Sequence, residues 1–98
     1  MNRQSKPQRP RFPLGQVVAT PGVLAALQAS GQAPQTLLRR HHGGDWGDLD
    51  PVDWQANDQA LRDGSRLFSA YQATADVRVW IITEADRSAT TLLLPAEY

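Results

Sequence analysis

The segment His41–Asp50, HHGGDWGDLD, gathers two histidines, three aspartates, three glycines and a tryptophan within ten residues. Three kinds of chemistry fit such residues. The first is metal binding by His41, His42, Asp45 and Asp48. Adjacent helical histidines point about 100° apart, so one ion rarely takes both. The i, i+4 pair His41 and Asp45 would need a helix running through Gly43 and Gly44. The pattern therefore predicts no metal site and no cofactor. The second is proton transfer. A histidine moves protons near neutral pH, and an arginine holds a phosphate and its developing charge. His41 or His42 with Arg87, Thr90, Thr91 and Tyr98 would suit metal-independent RNA cleavage. The third is recognition. Trp46 sits among glycines and acids, where a tryptophan can anchor a partner. It can equally fold back over a small core with its N–H bonded locally. Either arrangement leaves Asp45 and Asp48 to be presented. A second polar string, ITEADRSATT, carries Glu84, Asp86, Arg87 and Ser88 on an expected hairpin tip.

The elements that must position these residues can be read from punctuation and period. Pro51 follows Asp50, and Gly64 closes DPVDWQANDQALRDG, which predicts a capped helix. Its buried face is assigned to Val52 or Trp54 with Leu61. TPGVLAALQASG has the same grammar, with Thr20 as cap, Pro21 at the first position and Gly31 at the exit. APQTLLRRHH predicts a third, short helix that turns Leu37 and Leu38 inward. Its last turn holds Arg39, Arg40, His41 and His42, where positive charge suits the carbonyl end. After Gly64 the period becomes two. SRLFSAYQ, VRVWIIT and TTLLLP read as strands, and the short links between them imply an antiparallel meander. LGQVVAT adds a fourth candidate strand. The fold class expected is α+β: two to three N-terminal helices, then a three- to four-stranded antiparallel meander. Residues 13–98 would form one domain, preceded by a disordered basic leader over 1–12.

Composition narrows the function classes. The chain has 98 residues, which favours one domain. There is no cysteine, so disulfides, thiol catalysis and cysteine zinc sites are absent, and a cytoplasmic setting is expected. No apolar run reaches the ~20 residues of a membrane span. Charge is uneven. Arg3, Lys6, Arg9 and Arg11 all precede Phe12, and no acid precedes Asp45. Residues 13–98 hold six arginines against ten acids, a net of −4. Phosphate binding wants a positive surface, so nucleic acid is expected only at the leader. The acidic band 45–63 also invites a DNA-mimic reading, although several of its aspartates have capping work to do.

The strings LGQVVATPG, RHHGGDWGDLD, NDQALRDGSRLFSAY and WIITEADRSATTLLLPAEY resemble a group of short proteins from bacterial plasmids and integrative elements. The resemblance covers nearly everything after Phe12. Some members of the group are labelled as a modification subunit of a type I restriction system. This sequence is too short for a methyltransferase, and it has no glycine-rich cofactor loop and no Asn/Asp-Pro-Pro motif. The resemblance implies a mobile-element setting and no particular catalytic residues. The function expected is a non-enzymatic protein-interaction module acting on a host defence component through Asp45, Trp46, Asp48, Glu84, Asp86, Arg87 and Ser88. The alternative is the small nuclease built on His41 or His42 and Arg87. A metal or small-molecule sensor is a weaker third.

Overall fold

The computed structural model describes residues 9–98. Arg3 and Lys6 of the expected leader lie outside the described residues. In chain order the elements are β1 (Gln16–Ala19), α1 (Pro21–Ser30), α2 (Pro34–His42), α3 (Pro51–Asp63), β2 (Leu67–Gln72), β3 (Arg78–Thr83) and β4 (Ala89–Leu93). A single 3-10 turn, Pro95–Glu97, follows.

The helix signals operate as the sequence implies. The Thr20 hydroxyl accepts from the Val23 N–H at 3.2 Å. The Asp50 carboxylate accepts from the Asp53 N–H at 2.8 Å. Gly31 and Gly64 end their helices in the left-handed region, where a side chain would be strained. In α3, however, the buried residues are Asn57 and Ala60, Trp54 is half-buried, and Val52 is 75% exposed. The helix is rotated because the Asn57 amide grips the backbone of Phe68. Asn57 donates to the Phe68 carbonyl and accepts from its N–H.

The sheet has the order β1-β4-β3-β2. β2, β3 and β4 form the expected antiparallel meander, but β1 runs parallel to β4, so the sheet is mixed. Short turns force neighbours to reverse, and they fix β2 through β4. Nothing comparable ties β1 to β4, because three helices and two strands intervene. Period-two patterning carries no information on strand direction.

One face of the sheet carries Tyr71, Val79, Ile81 and Leu92 against Val23 and Leu27 of α1 and Leu37 of α2. A second cluster joins Phe12, Trp46, Ala60 and Leu67. Phe12 corrects the leader boundary. It is only 8% exposed and lies edge-on to both His41 and His42. The neighbouring Arg11 N–H donates to the His42 carbonyl at 2.9 Å. An aromatic ring with a pocket to fill does not stay in water, so the folded body begins before residue 13. No described helix is long and apolar enough to cross a membrane.

Candidate functional site

His41, in the last turn of α2, has no exposed surface. Its Nδ1 lies 2.5 Å from the Ser69 hydroxyl and its Nε2 lies 2.9 Å from the Thr83 hydroxyl. Thr83 in turn meets the Thr90 hydroxyl at 2.7 Å, and Thr90 donates to the Leu14 carbonyl at 2.8 Å. The carbonyl at the end of this chain accepts only, and that fixes the directions back to His41 Nε2. Thr90 spends its proton on Leu14, so Thr83 donates to Thr90. Thr83 must then accept from His41 Nε2–H. Burial favours the uncharged ring, whose single proton is then on Nε2, so Nδ1 accepts from the Ser69 hydroxyl and both nitrogens are satisfied. Burial is the main cause that pushes its pKa down to about 3, with His42 and Arg87 adding repulsion. Ser69, Thr83 and Thr90 are fully buried as well. The chain of hydroxyls ties α2 to three strands and to the segment before β1.

His42 faces the other way. Its Nε2–H donates to the Phe12 carbonyl at 2.8 Å, and its ring is half-buried. Neither histidine is hydrogen-bonded to Arg87. The Arg87 guanidinium donates instead to the carbonyls of Ser65 (2.6 Å), Glu84 (3.1 Å), Ala85 (3.3 Å) and Ala60 (3.0 Å). It also lies 5.9 Å from the centre of the Phe12 ring. Arg87 adopts φ 60, an uncommon conformation for a residue with a side chain. Its four bonds hold the β3–β4 turn against the end of α3. The expected set of His41 or His42 with Arg87, Thr90, Thr91 and Tyr98 is thus not gathered into one site. Thr90 belongs to the buried chain of hydroxyls, and Thr91 and Tyr98 stand on the opposite sheet face.

The glycine-rich loop is locked from inside. Trp46 has no exposed surface, so it is not an exposed anchor. Its ring lies against Phe12 and edge-on to His41, and its N–H donates to Asp58 at 3.0 Å. The indole supplies more apolar area than this small core could replace, which explains its position. Asp45 forms a two-pronged ion pair with Arg40, at 2.7 and 3.3 Å. Arg40 also stacks over Tyr71, whose hydroxyl donates to the Asp45 carbonyl. The Asp45 carboxylate raises the Arg40 pKa above its usual value, and burial pushes the Tyr71 phenol up. Asp48 is exposed but its carboxylate accepts from the Gln72 N–H, at 2.9 Å. Residues 46–48 add themselves to the outer side of β2: Ala70 N–H donates to Trp46, and Asp48 N–H to Ala70.

On the hairpin, Asp86 accepts from Ser88, and those bonds hold its carboxyl below the ordinary range. Glu84 is exposed, and it lines a shallow cavity of about 270 Å³ with Arg66, Ile82, Thr91, Leu93 and Tyr98. Ile82 and Leu93 are nearly buried in its floor. Tyr98 is 72% exposed at its rim, edge-on to Trp80, and Trp80 is edge-on to Phe68. Arg66 donates to the Tyr98 hydroxyl at 2.8 Å. This cavity lies on the sheet face opposite His41, to which the buried residues of α1 and α2 contribute nothing. Arg66, Trp80 and Leu93 are not in the expected site. The alternation of VRVWIIT already put large apolar groups on both faces of β3, which was the available signal.

Among the described residues no three His, Asp or Glu side chains gather as a metal site. No family model, curated protein or solved structure matches the chain.

Proposed function

We propose that this chain is a non-enzymatic protein-interaction module, carried on a mobile genetic element, that acts in the cytoplasm on a component of a host defence system. The observation that carries the interaction reading is the second sheet face. An apolar floor of Ile82 and Leu93 is framed by Tyr98, Arg66 and Glu84. Aromatic and arginine side chains over an apolar floor are the composition of a protein-binding surface. At about 270 Å³ the cavity is below the roughly 300–1,000 Å³ usual for small-molecule sites, and it suits one inserted side chain of a partner. The mobile-element setting rests on the resemblance of the sequence strings. Of the residues first expected to bind, Glu84 is the one at this surface. Trp46 and Arg87 serve the fold instead.

The test is double alanine substitution, Arg66→Ala with Tyr98→Ala. Both residues are exposed, so the melting temperature is expected to hold while partner binding is lost. Binding that survives at full strength would remove this surface from the account.

A further inference from the structure

We propose that β1 pairs with the β1 of a second copy of this chain, antiparallel about a two-fold axis at Val17, so that two four-stranded sheets join into one.

The two edges of the sheet are treated differently. The β2 edge is occupied by the chain itself, through residues 46–48. Among the described residues no strand occupies the β1 edge. Gln16 N–H donates to Ser88 and Thr20 N–H to Leu92, so even-numbered residues face β4. The backbone groups of Val17 and Ala19 therefore point away from the sheet. Val17 and Val18 stand on opposite faces and are 45% and 44% exposed. Edge strands are commonly guarded by charge, proline or a bulge within the strand. Gln16–Ala19 has none of these.

Charge points to a second copy as the occupant. From Phe12 to Leu38 the chain carries no charged residue. This stretch supplies β1 and α1, including Leu24 at 45% exposure. The acidic band of α3 lies beside β2, at the far edge of the sheet. Two negatively charged bodies can meet along β1 while their acidic bands stay at the outer ends of the pair. Glu97, near the end of β1, is already held by the Thr20 hydroxyl and the Leu94 N–H. An axis through Val17 sets its N–H against the carbonyl of its own counterpart, which closes two hydrogen bonds at once.

Sedimentation equilibrium on the full chain tests this. The average mass is expected to rise with concentration from 10.8 kDa towards twice that value. Val17→Pro removes the outward N–H without touching the bonds to β4, and it is expected to abolish the rise with an unchanged circular dichroism spectrum. Val17→Cys introduces a lone thiol at the axis. The spacing of directly opposed residues suits a disulfide, so mild oxidation should link two chains. Val18→Cys, displaced from the axis and on the other face, should link far more slowly. The cysteine pair decides the matter even if Val17→Pro unfolds. A chain that stays monomeric at every concentration, leaving the edge to another protein's strand, would overturn the proposal. So would a dimer indifferent to Val17→Pro in its folded form, or equal cross-linking at the two positions.

Discussion

Both nitrogens of His41 are committed, and burial holds the ring neutral. Charging it would place a second proton on Nδ1, against the Ser69 hydroxyl and in a site without water contact. The linkage sign follows. The unfolded imidazole binds its proton near pH 6.5, whereas the folded one does so only near pH 3. Between those values the unfolded state holds more protons, so acid favours unfolding. The contribution of His41 is complete above pH 6.5 and is lost as pH falls towards 3. We expect its ring resonances in NMR to stay neutral down to about pH 4, with urea stability declining over the same range. A ring that titrates at its ordinary pKa would mean that water reaches the site. Arg87 is the second residue whose role is decided by its partners. Four carbonyl acceptors and a positive φ make it a brace between the hairpin and α3. Arg87→Ala should cost about 2 kcal/mol, the worth of about one bond to a charged donor, because the half-buried guanidinium and most of its acceptors regain water when the bonds are lost. In a chain of this size that is roughly a 10 °C drop in melting temperature by calorimetry. A variant that melts with the wild type would free Arg87 for another role.

The loop between α2 and α3 shows how one element replaces another. Residues 46–48 lie along β2 as a rudimentary fifth strand, and Gly47 makes that approach possible. A Cβ at Gly47 would meet the Ala70 carbonyl and the Tyr71 ring, and its φ of 79 disfavours any side chain. Gly47→Ala should therefore lift the loop and loosen Trp46, at a cost of about 2 kcal/mol or more. Hydrogen exchange at Ala70 and a red-shifted tryptophan emission would report it. An unchanged exchange rate would count against the close approach. The elements themselves were legible, because caps, prolines and glycines are local signals. Thr20, Asp50, Gly31 and Gly64 each act where the string implies. The direction of β1 was not legible, since nothing local records which strand it joins. The role of Trp46 was open for a related reason. Its surroundings in sequence are polar, while its neighbours in space are Phe12 and His41, thirty-odd and five residues away along the chain respectively. The hydroxyls of Ser69 and Thr83 were missed, although both fall on the inward side of otherwise apolar strands. A polar residue at such a position asks for a buried partner, and His41 is that partner.

At the scale of the whole molecule, His41, Arg40, Asp45 and Arg87 are committed to internal contacts, and some large apolar side chains stay exposed. Histidine, arginine and aspartate join α2, α3 and the hairpin to the sheet. Val17 and Val18 remain at one edge, and Tyr98 and Arg66 stand on the face away from α1 and α2. The proposed binding role rests on this distribution, whereas a catalytic role would need a reacting group that reaches its substrate. The acidic surface beside β2 disfavours nucleic acid there. The most direct measurement is a tagged pull-down from host lysate, run with and without nuclease and compared with the Arg66→Ala, Tyr98→Ala variant. A stoichiometric protein partner is expected, resistant to nuclease and absent with the variant. Recovery of RNA or DNA that nuclease removes, equally with both forms, would contradict it and return attention to His42 and the basic segment before Phe12.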